Sequence, residues 1–174
     1  APLAVLAFWA VRGVGAGESV GVEWVAIWNS VRASALAAIA AAVAAMPVAI
    51  LAVRYPGKIS TLVERSTYLG FALPGIAIAL ALVFLSVNFL TPIYQTMSLL
   101  VLAYVVLFLP AGVGAIRASL MQVNPRVEEA ARGLGRRPWQ VMLHVTFPLM
   151  LPGVMAGAAT VFLLTMKELP ATLI

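Results

Sequence analysis

The chain has 174 residues, of which 63% are hydrophobic and 10% charged, and its mean hydropathy is +1.06. Soluble domains carry about 25% charged residues, so most of this chain cannot face water. The net charge of +5 does not indicate a nucleic-acid partner, because the basic residues flank apolar segments instead of forming a stripe with interleaved aromatic residues. The absence of cysteine excludes disulfides, and one histidine, His144, cannot build a metal site alone, so no metal ligands are assigned.

Four segments are apolar and long enough to cross a bilayer, whose hydrocarbon core takes roughly 20 helical residues. In chain order they are residues 33–53, 69–90, 98–116 and 149–166. Backbone polar groups in lipid must be satisfied within the segment, so all four are predicted to be helices. We therefore predict an all-α fold in which residues 1–174 form a single transmembrane helix bundle.

Proline occurs inside or near the start of each segment, at Pro47, Pro74, Pro110 and Pro152. Pro110, which Gly112 and Gly114 follow, is predicted to kink its helix most. Residues 2–11 are apolar but too short to cross a bilayer, and we expect them to be the end of an upstream helix. Because the chain begins on Ala1 and stops just after a Lys-Glu pair, we expect an incomplete piece of a longer protein.

Small residues recur at helical spacing in two of the segments. Alanine stands at positions 33, 37, 41 and 45, and Gly153 and Gly157 form a small-xxx-small pattern. Such patterns serve ordinary packing inside one bundle or a dedicated dimer interface, and the sequence leaves both open.

The basic residues are distributed unevenly between the two groups of loops. One group holds Arg54, Lys58, Arg65, Arg117, Arg126, Arg132, Arg136 and Arg137, and the other holds only Arg12, Arg32 and Lys167. Lysine and arginine favour the cytoplasmic side, so residues 54–65 and 117–146 are predicted to be cytoplasmic. Residues 12–32 and 88–97 should face outward, with Trp24 and Trp28 at the membrane interface.

The longer cytoplasmic loop, about residues 118–147, carries the signals of two short helices. Asn124 is a good N-cap, Pro125 suits the first helical position, and Glu128 and Glu129 favour the positive end of the helix dipole. Glycines 133 and 135 can end this helix, and Pro138 can begin another. The shape suits docking into a groove of a partner, and it equally suits an amphipathic connector on the membrane surface.

This loop resembles the signature of permeases in binding-protein-dependent ATP-binding-cassette (ABC) importers. In the family signature, Glu-Ala-Ala is followed after three residues by Gly, and after nine further residues by Ile-x-Leu-Pro. In this chain Glu129-Ala130-Ala131 is followed after three residues by Gly135, and after nine further residues by Val145-Thr146-Phe147-Pro148. Val for Ile and Phe for Leu are conservative departures. The resemblance covers most of the chain, from about residue 28 to the end.

The resemblance implies the type I permease fold, with the loop forming two short coupling helices on the cytoplasmic ATPase. It assigns Glu129, Ala130, Ala131, Gly135 and Pro148 to ATPase coupling. It further implies a location in the bacterial inner membrane and three partners: a dimer of ABC ATPase subunits, a periplasmic substrate-binding protein and a second permease half or domain. ATP is expected on the partner subunit, so this chain needs no cofactor of its own.

The end of the chain, Met166-Lys167-Glu168-Leu-Pro-Ala-Thr-Leu173, resembles a stretch of the ferric-iron permeases in this family. Ferric iron is therefore the expected cargo, and thiamine, phosphonate and polyamine permeases, which share the layout, are the alternatives. Charges in a membrane segment usually face the bundle interior or a water path. Lys167 and Glu168 are accordingly candidates for the translocation path, or else an interfacial pair that reaches the outer headgroups.

No phosphate-binding loop or set of catalytic residues is present in the sequence, so no catalytic residue is assigned and we predict a transport subunit and not an enzyme. A secondary transporter is the main rival, and it would need charges or broken helices near the membrane midplane. A purely structural anchor is another, although it gives no reason for a structured cytoplasmic loop.

Overall fold

The structure is a computed structural model that describes residues 2–15 and 24–168. Its helices are α1 (Pro2–Gly15), α2 (Trp24–Arg54), α3 (Lys58–Thr67), α4 (Leu69–Ala72), α5 (Gly75–Phe89), α6 (Met97–Gln122), α7 (Pro125–Gly133), α8 (Pro138–Val141) and α9 (Phe147–Met166). A 3₁₀ turn at Thr91–Ile93 precedes α6, and a π-helical segment, Met142–Thr146, joins α8 to α9. These residues contain no strand, so the all-α prediction is confirmed.

Three long apolar helices form the bundle, and each packs on the other two. Helix α2 has 31 residues, α6 has 26, and α8 runs through the π segment into α9 over 29 residues, Pro138–Met166. All exceed the roughly 20 residues needed to cross a bilayer, which confirms the first, third and fourth predicted segments. Trp24 and Trp28 are exposed on the first turns of α2, as expected of interfacial aromatic residues, whereas residues 16–23 lie outside the described part.

The second predicted segment is broken instead of straight. Residues Lys58–Ala72 and Gly75–Phe89 form a bent pair with an angle of 105° between its arms. Leu73 and Pro74 are extended at the break, because proline lacks an N–H and disfavours helical geometry in the residue before it.

The prediction of the main kink at Pro110 was therefore wrong: Pro110 is fully buried inside the continuous helix α6, where neighbouring helices pack around it.

The small residues serve packing within this chain. Ala33, Ala37, Ala41 and Ala45 are at most 4% exposed on the face of α2 that meets the rest of the bundle. On α9, a methyl group at Gly157 would lie 3.3 Å from the carbonyl oxygen of Gly112, and one at Gly153 would overlap Ser119. Helices α6 and α9 therefore approach so closely that only glycine fits at Gly153, and a side chain at Gly157 would be in tight contact with α6.

Candidate functional site

Helix α7 begins and ends where the local sequence predicts. The Asn124 side chain accepts a hydrogen bond from the backbone N–H of Arg126 at 3.0 Å, and Pro125 occupies the first turn. At the other end Gly135 has φ +82°, a left-handed conformation that favours glycine, and the N–H of Arg136 bonds back to the carbonyl of Ala131. The predicted helix with a glycine corner is present.

The second predicted helix is the first turn of a membrane helix. Helix α8 starts at Pro138 as expected, but the chain continues through Met142–Thr146 into α9 without a break. Pro148 therefore lies inside the first turn of α9, and not at a boundary between loop and membrane helix. A proline inside a helix removes one hydrogen bond and crowds the preceding turn, and the wider π segment just before it provides the space.

A buried carboxylate joins α7 to the membrane helices. Glu128 is 6% exposed, and its Oε1 atom accepts hydrogen bonds from Nε of Arg54 at 2.9 Å and from Oγ1 of Thr146 at 3.0 Å. Nη2 of Arg54 also lies 2.9 Å from this oxygen and donates to the carbonyl of Val123 at 3.1 Å. Arg132 lies 3.9 Å from the other carboxylate oxygen. We call Arg54, Glu128 and Thr146 the charge clamp.

The charge clamp ties together the end of α2, the α6–α7 corner and the segment leading into α9. A second ion pair, Nη1 of Arg117 to Oε1 of Glu64 at 2.6 Å, links α6 to α3 at the same end of the bundle, which we call the basic end. The sequence does not reveal the clamp: it places Glu128 at the positive end of a helix dipole and four residues before Arg132, and it counts Arg54 among the basic residues of the loops. Residues 74 positions apart give no local signal that they meet.

The residues assigned to coupling lie mostly on the outer surface of the loop. Glu129, Ala130 and Gly135 are exposed, and Ala131 is half-buried, because α7 turns Glu128 inward and its neighbours outward. Two large apolar side chains accompany them, Leu134 at 86% exposed and Trp139 at 56%. Exposed apolar residues grouped with polar ones are typical of a surface that contacts a partner.

The two residues assigned to the translocation path, Lys167 and Glu168, separate at the opposite end of the bundle. Lys167 is exposed, whereas Glu168 is half-buried and lines a cavity between α2, α6 and the end of α9. A methyl group at Gly75, on the first turn of α5, would lie 2.7 Å from Oε1 of Glu168. Glu168 thus reaches the break in the bent helix pair.

The apolar helices, the broken helix and the folded loop define a multi-pass membrane protein. The family model for "binding-protein-dependent transport system inner membrane component" matches residues 41–174. The chain belongs to this family, and its place is accordingly the inner membrane.

The names of similar proteins specify different cargoes. The chain is 38% identical to the Fe(3+)-transport system permease protein FbpB 2 of Haemophilus influenzae, over 99% of this chain and 35% of the relative. It is 41% identical to the molybdenum transport system permease protein ModB of Escherichia coli, over 42% of this chain and 32% of the relative. A putative 2-aminoethylphosphonate permease, PhnV of Salmonella typhimurium, is 26% identical over 88% of this chain and 58% of the relative. The chain spans about a third of the length of the first of these.

Proposed function

We propose that this chain is part of the membrane permease of an ABC importer, that the basic end faces the cytoplasm, and that the loop between α6 and α9 receives the movement of a separate ATPase. The observation that carries the proposal is the exposed stretch around Glu129 and Gly135 on a loop fixed from inside by the charge clamp. A connector that only rested on the membrane would not need a buried ion pair to hold its orientation.

The contacts suggest how movement would pass from the loop to the membrane. A force on α7 acts through Glu128 on Arg54 of α2 and on Thr146 before α9. Packed helices shift as rigid bodies between discrete arrangements, so a displacement of the loop would change the tilt of two membrane helices together. In this scheme Glu129, Ala130, Ala131 and Gly135 contact the ATPase. Pro148 lies in the first turn of α9, two residues after Thr146 of the charge clamp.

The assembly we propose is that of the family: a dimer of ATPase subunits that binds ATP, a second permease half and a periplasmic binding protein that delivers the cargo. The chain itself acts as a transport subunit and not as an enzyme. Ferric iron is the cargo we favour, supported by the resemblance of residues 166–173 and by the relative whose name specifies iron. The molybdenum and phosphonate relatives make an oxyanion the second candidate.

Purification of the full-length parent protein in mild detergent tests the class. A stoichiometric ABC ATPase, identified by mass spectrometry, is the expected companion; its absence, under conditions that hold known importers together, would favour a secondary transporter. Proteoliposomes that contain the purified complex then test the cargo. Import of ferric iron from its binding protein is expected, and import of molybdate or 2-aminoethylphosphonate in its place would contradict the iron assignment.

A further inference from the structure

The loop between α6 and α9 exposes a strongly positive surface. Four of its arginines are exposed, namely Arg126, Arg132, Arg136 and Arg137. Glu128 is buried against Arg54 in the charge clamp, which leaves Glu129 as the one exposed carboxylate of this loop. Arg132 lies 3.9 Å from Glu128, whereas the other three arginines form no ion pair with a residue that the structure describes. Their positive charge is therefore available to a partner.

Large apolar side chains lie in the middle of this charged surface. Leu134, at the end of α7, is 86% exposed, and Trp139 in α8 is 56% exposed. Arg136 and Arg137 lie between these two residues in the sequence. An apolar centre with a polar and charged rim is the usual anatomy of a protein interface. Residues 134–139 therefore have the composition of a docking surface, and we call them the docking corner.

The docking corner lies beyond the lipid headgroups. Helix α9 has 20 residues, so it is about 30 Å long and matches the hydrocarbon core of a bilayer. Residues 138–146 precede it in the same continuous helix and add about 10 Å or more. The headgroup region extends only about 5–8 Å on each side of the hydrocarbon core. Leu134 and Trp139 would therefore contact water in the free chain, which disfavours an amphipathic connector that rests on lipid.

We infer that the docking corner fits an acidic surface on the ATPase, in which an apolar pocket takes Leu134 and the surrounding carboxylates face Arg136 and Arg137. The inference rests on the proposed function and adds the chemistry of the partner's surface. Charges at the rim of an interface act mainly on the rate of association, because opposite charges attract the partners before they touch. The apolar centre acts mainly on the rate of dissociation, because it contributes only after water has been expelled.

Association kinetics test the charge of the partner's surface. The full-length protein, freed of its ATPase, is immobilised in nanodiscs of phosphatidylcholine, which carries no net charge, and the purified ATPase that accompanies it is added. Arg136→Gln combined with Arg137→Gln should slow association about tenfold at a salt concentration of about 0.05 M. At about 0.5 M salt, the double variant and the unchanged protein should associate at rates within about twofold, because salt screens the attraction.

Lys58→Gln combined with Arg65→Gln is the matched control. Both residues are exposed on α3 at the basic end, so this pair removes the same charge away from the docking corner. It should slow association by less than about threefold, because salt screens distant charges more than near ones. An equal loss with both pairs would mean that only the net charge of the basic end matters, and this result would overturn the inference.

Leu134→Ala tests the apolar pocket separately from the charge. The side chain is almost fully exposed in the free chain, so its removal should leave the fold intact. The variant should dissociate from the ATPase about tenfold faster at every salt concentration, while its association rate stays within about twofold. Ile59→Ala, which removes a side chain that is 75% exposed on α3, is the control and should change neither rate. An unchanged dissociation rate in Leu134→Ala contradicts the pocket.

The outcomes separate this inference from the proposed function. If the unchanged permease binds no ATPase, the proposed function fails and the inference fails with it. If the ATPase binds, but neither salt nor the loss of Arg136 and Arg137 changes its association rate, only the inference fails. If the two arginines matter only after anionic phosphatidylglycerol is added to the nanodiscs, they contact lipid headgroups and not the ATPase, and the inference is again overturned.

Discussion

Replacement of Glu128 with alanine should release α7 from the membrane helices while leaving the bundle folded. The variant removes the acceptor of three short contacts, two from Arg54 and one from Thr146, and leaves Arg54 only 12% exposed and without its counter-charge. Removal of one partner of a buried ion pair typically costs 3–5 kcal/mol. Arg54 keeps its bond to the carbonyl of Val123, so we expect a cost near the lower end, about 3 kcal/mol.

A cost of about 3 kcal/mol corresponds to a rise of roughly 150-fold in the population with the loop undocked, at 1.4 kcal/mol for each factor of ten. Thiol labelling can measure this population. Val123 is buried at the α6–α7 corner, 8% exposed, and the chain has no cysteine of its own. In a cysteine-free parent protein, Val123→Cys should react slowly with a water-soluble maleimide, and about 150-fold faster once Glu128→Ala is added.

Glu129→Ala is the matched control for this experiment. Its side chain is exposed, so its loss should leave the labelling rate unchanged within about twofold, even though we expect it to impair coupling to the ATPase. The combination Arg54→Ala with Glu128→Ala should label no faster than Glu128→Ala alone, since both members of one pair are absent. An unchanged labelling rate in Glu128→Ala would refute the claim that the charge clamp holds the loop.

Three further substitutions test separate features. Gly135→Val should lower uptake about tenfold while ATP hydrolysis continues, because the backbone φ of +82° at this position strains a β-branched residue by about 1–3 kcal/mol. The control is Gly133→Val, at a position with an ordinary φ and nothing within 4 Å, and this variant should keep uptake within about twofold. Gly153→Ala should lower the unfolding midpoint through overpacking of about 1–3 kcal/mol, and Gly114→Ala, which meets no neighbour, should not. Pro74→Ala should add a longer component to spin-label distances measured across the break.

Features encoded within a few residues could be predicted from the sequence. The start of α7 follows from the side chain of Asn124 and the ring of Pro125, and the corner follows from Gly135, so no tertiary contact is needed to expect them. The long apolar helices follow from composition, since a bilayer requires about 20 apolar residues in a row. The family signature depends on the same local loop, and the family match confirms it.

Features decided by tertiary packing could not be predicted. Pro74 and Pro110 look alike in the sequence, each inside an apolar run, and the structure breaks only at the first. Pro110 is enclosed by neighbouring helices, whereas Pro74 is exposed, and this difference exists only after the bundle assembles. The charge clamp is hidden for the same reason, because Arg54 and Glu128 are distant in sequence and each has several possible partners.

The continuous helix from Pro138 to Met166 connects the surface of the loop mechanically to the opposite end of the bundle. At 1.5 Å per residue its 29 residues extend about 44 Å, from the loop surface at Trp139 to the turn that carries Glu168. Its tightest contact with α6 is at Gly153, about 21 Å from Trp139 and about 22 Å from Glu168. If the helix tilts about that contact, a displacement of about 3 Å at the loop moves the far end of the helix by about 3 Å in the opposite direction.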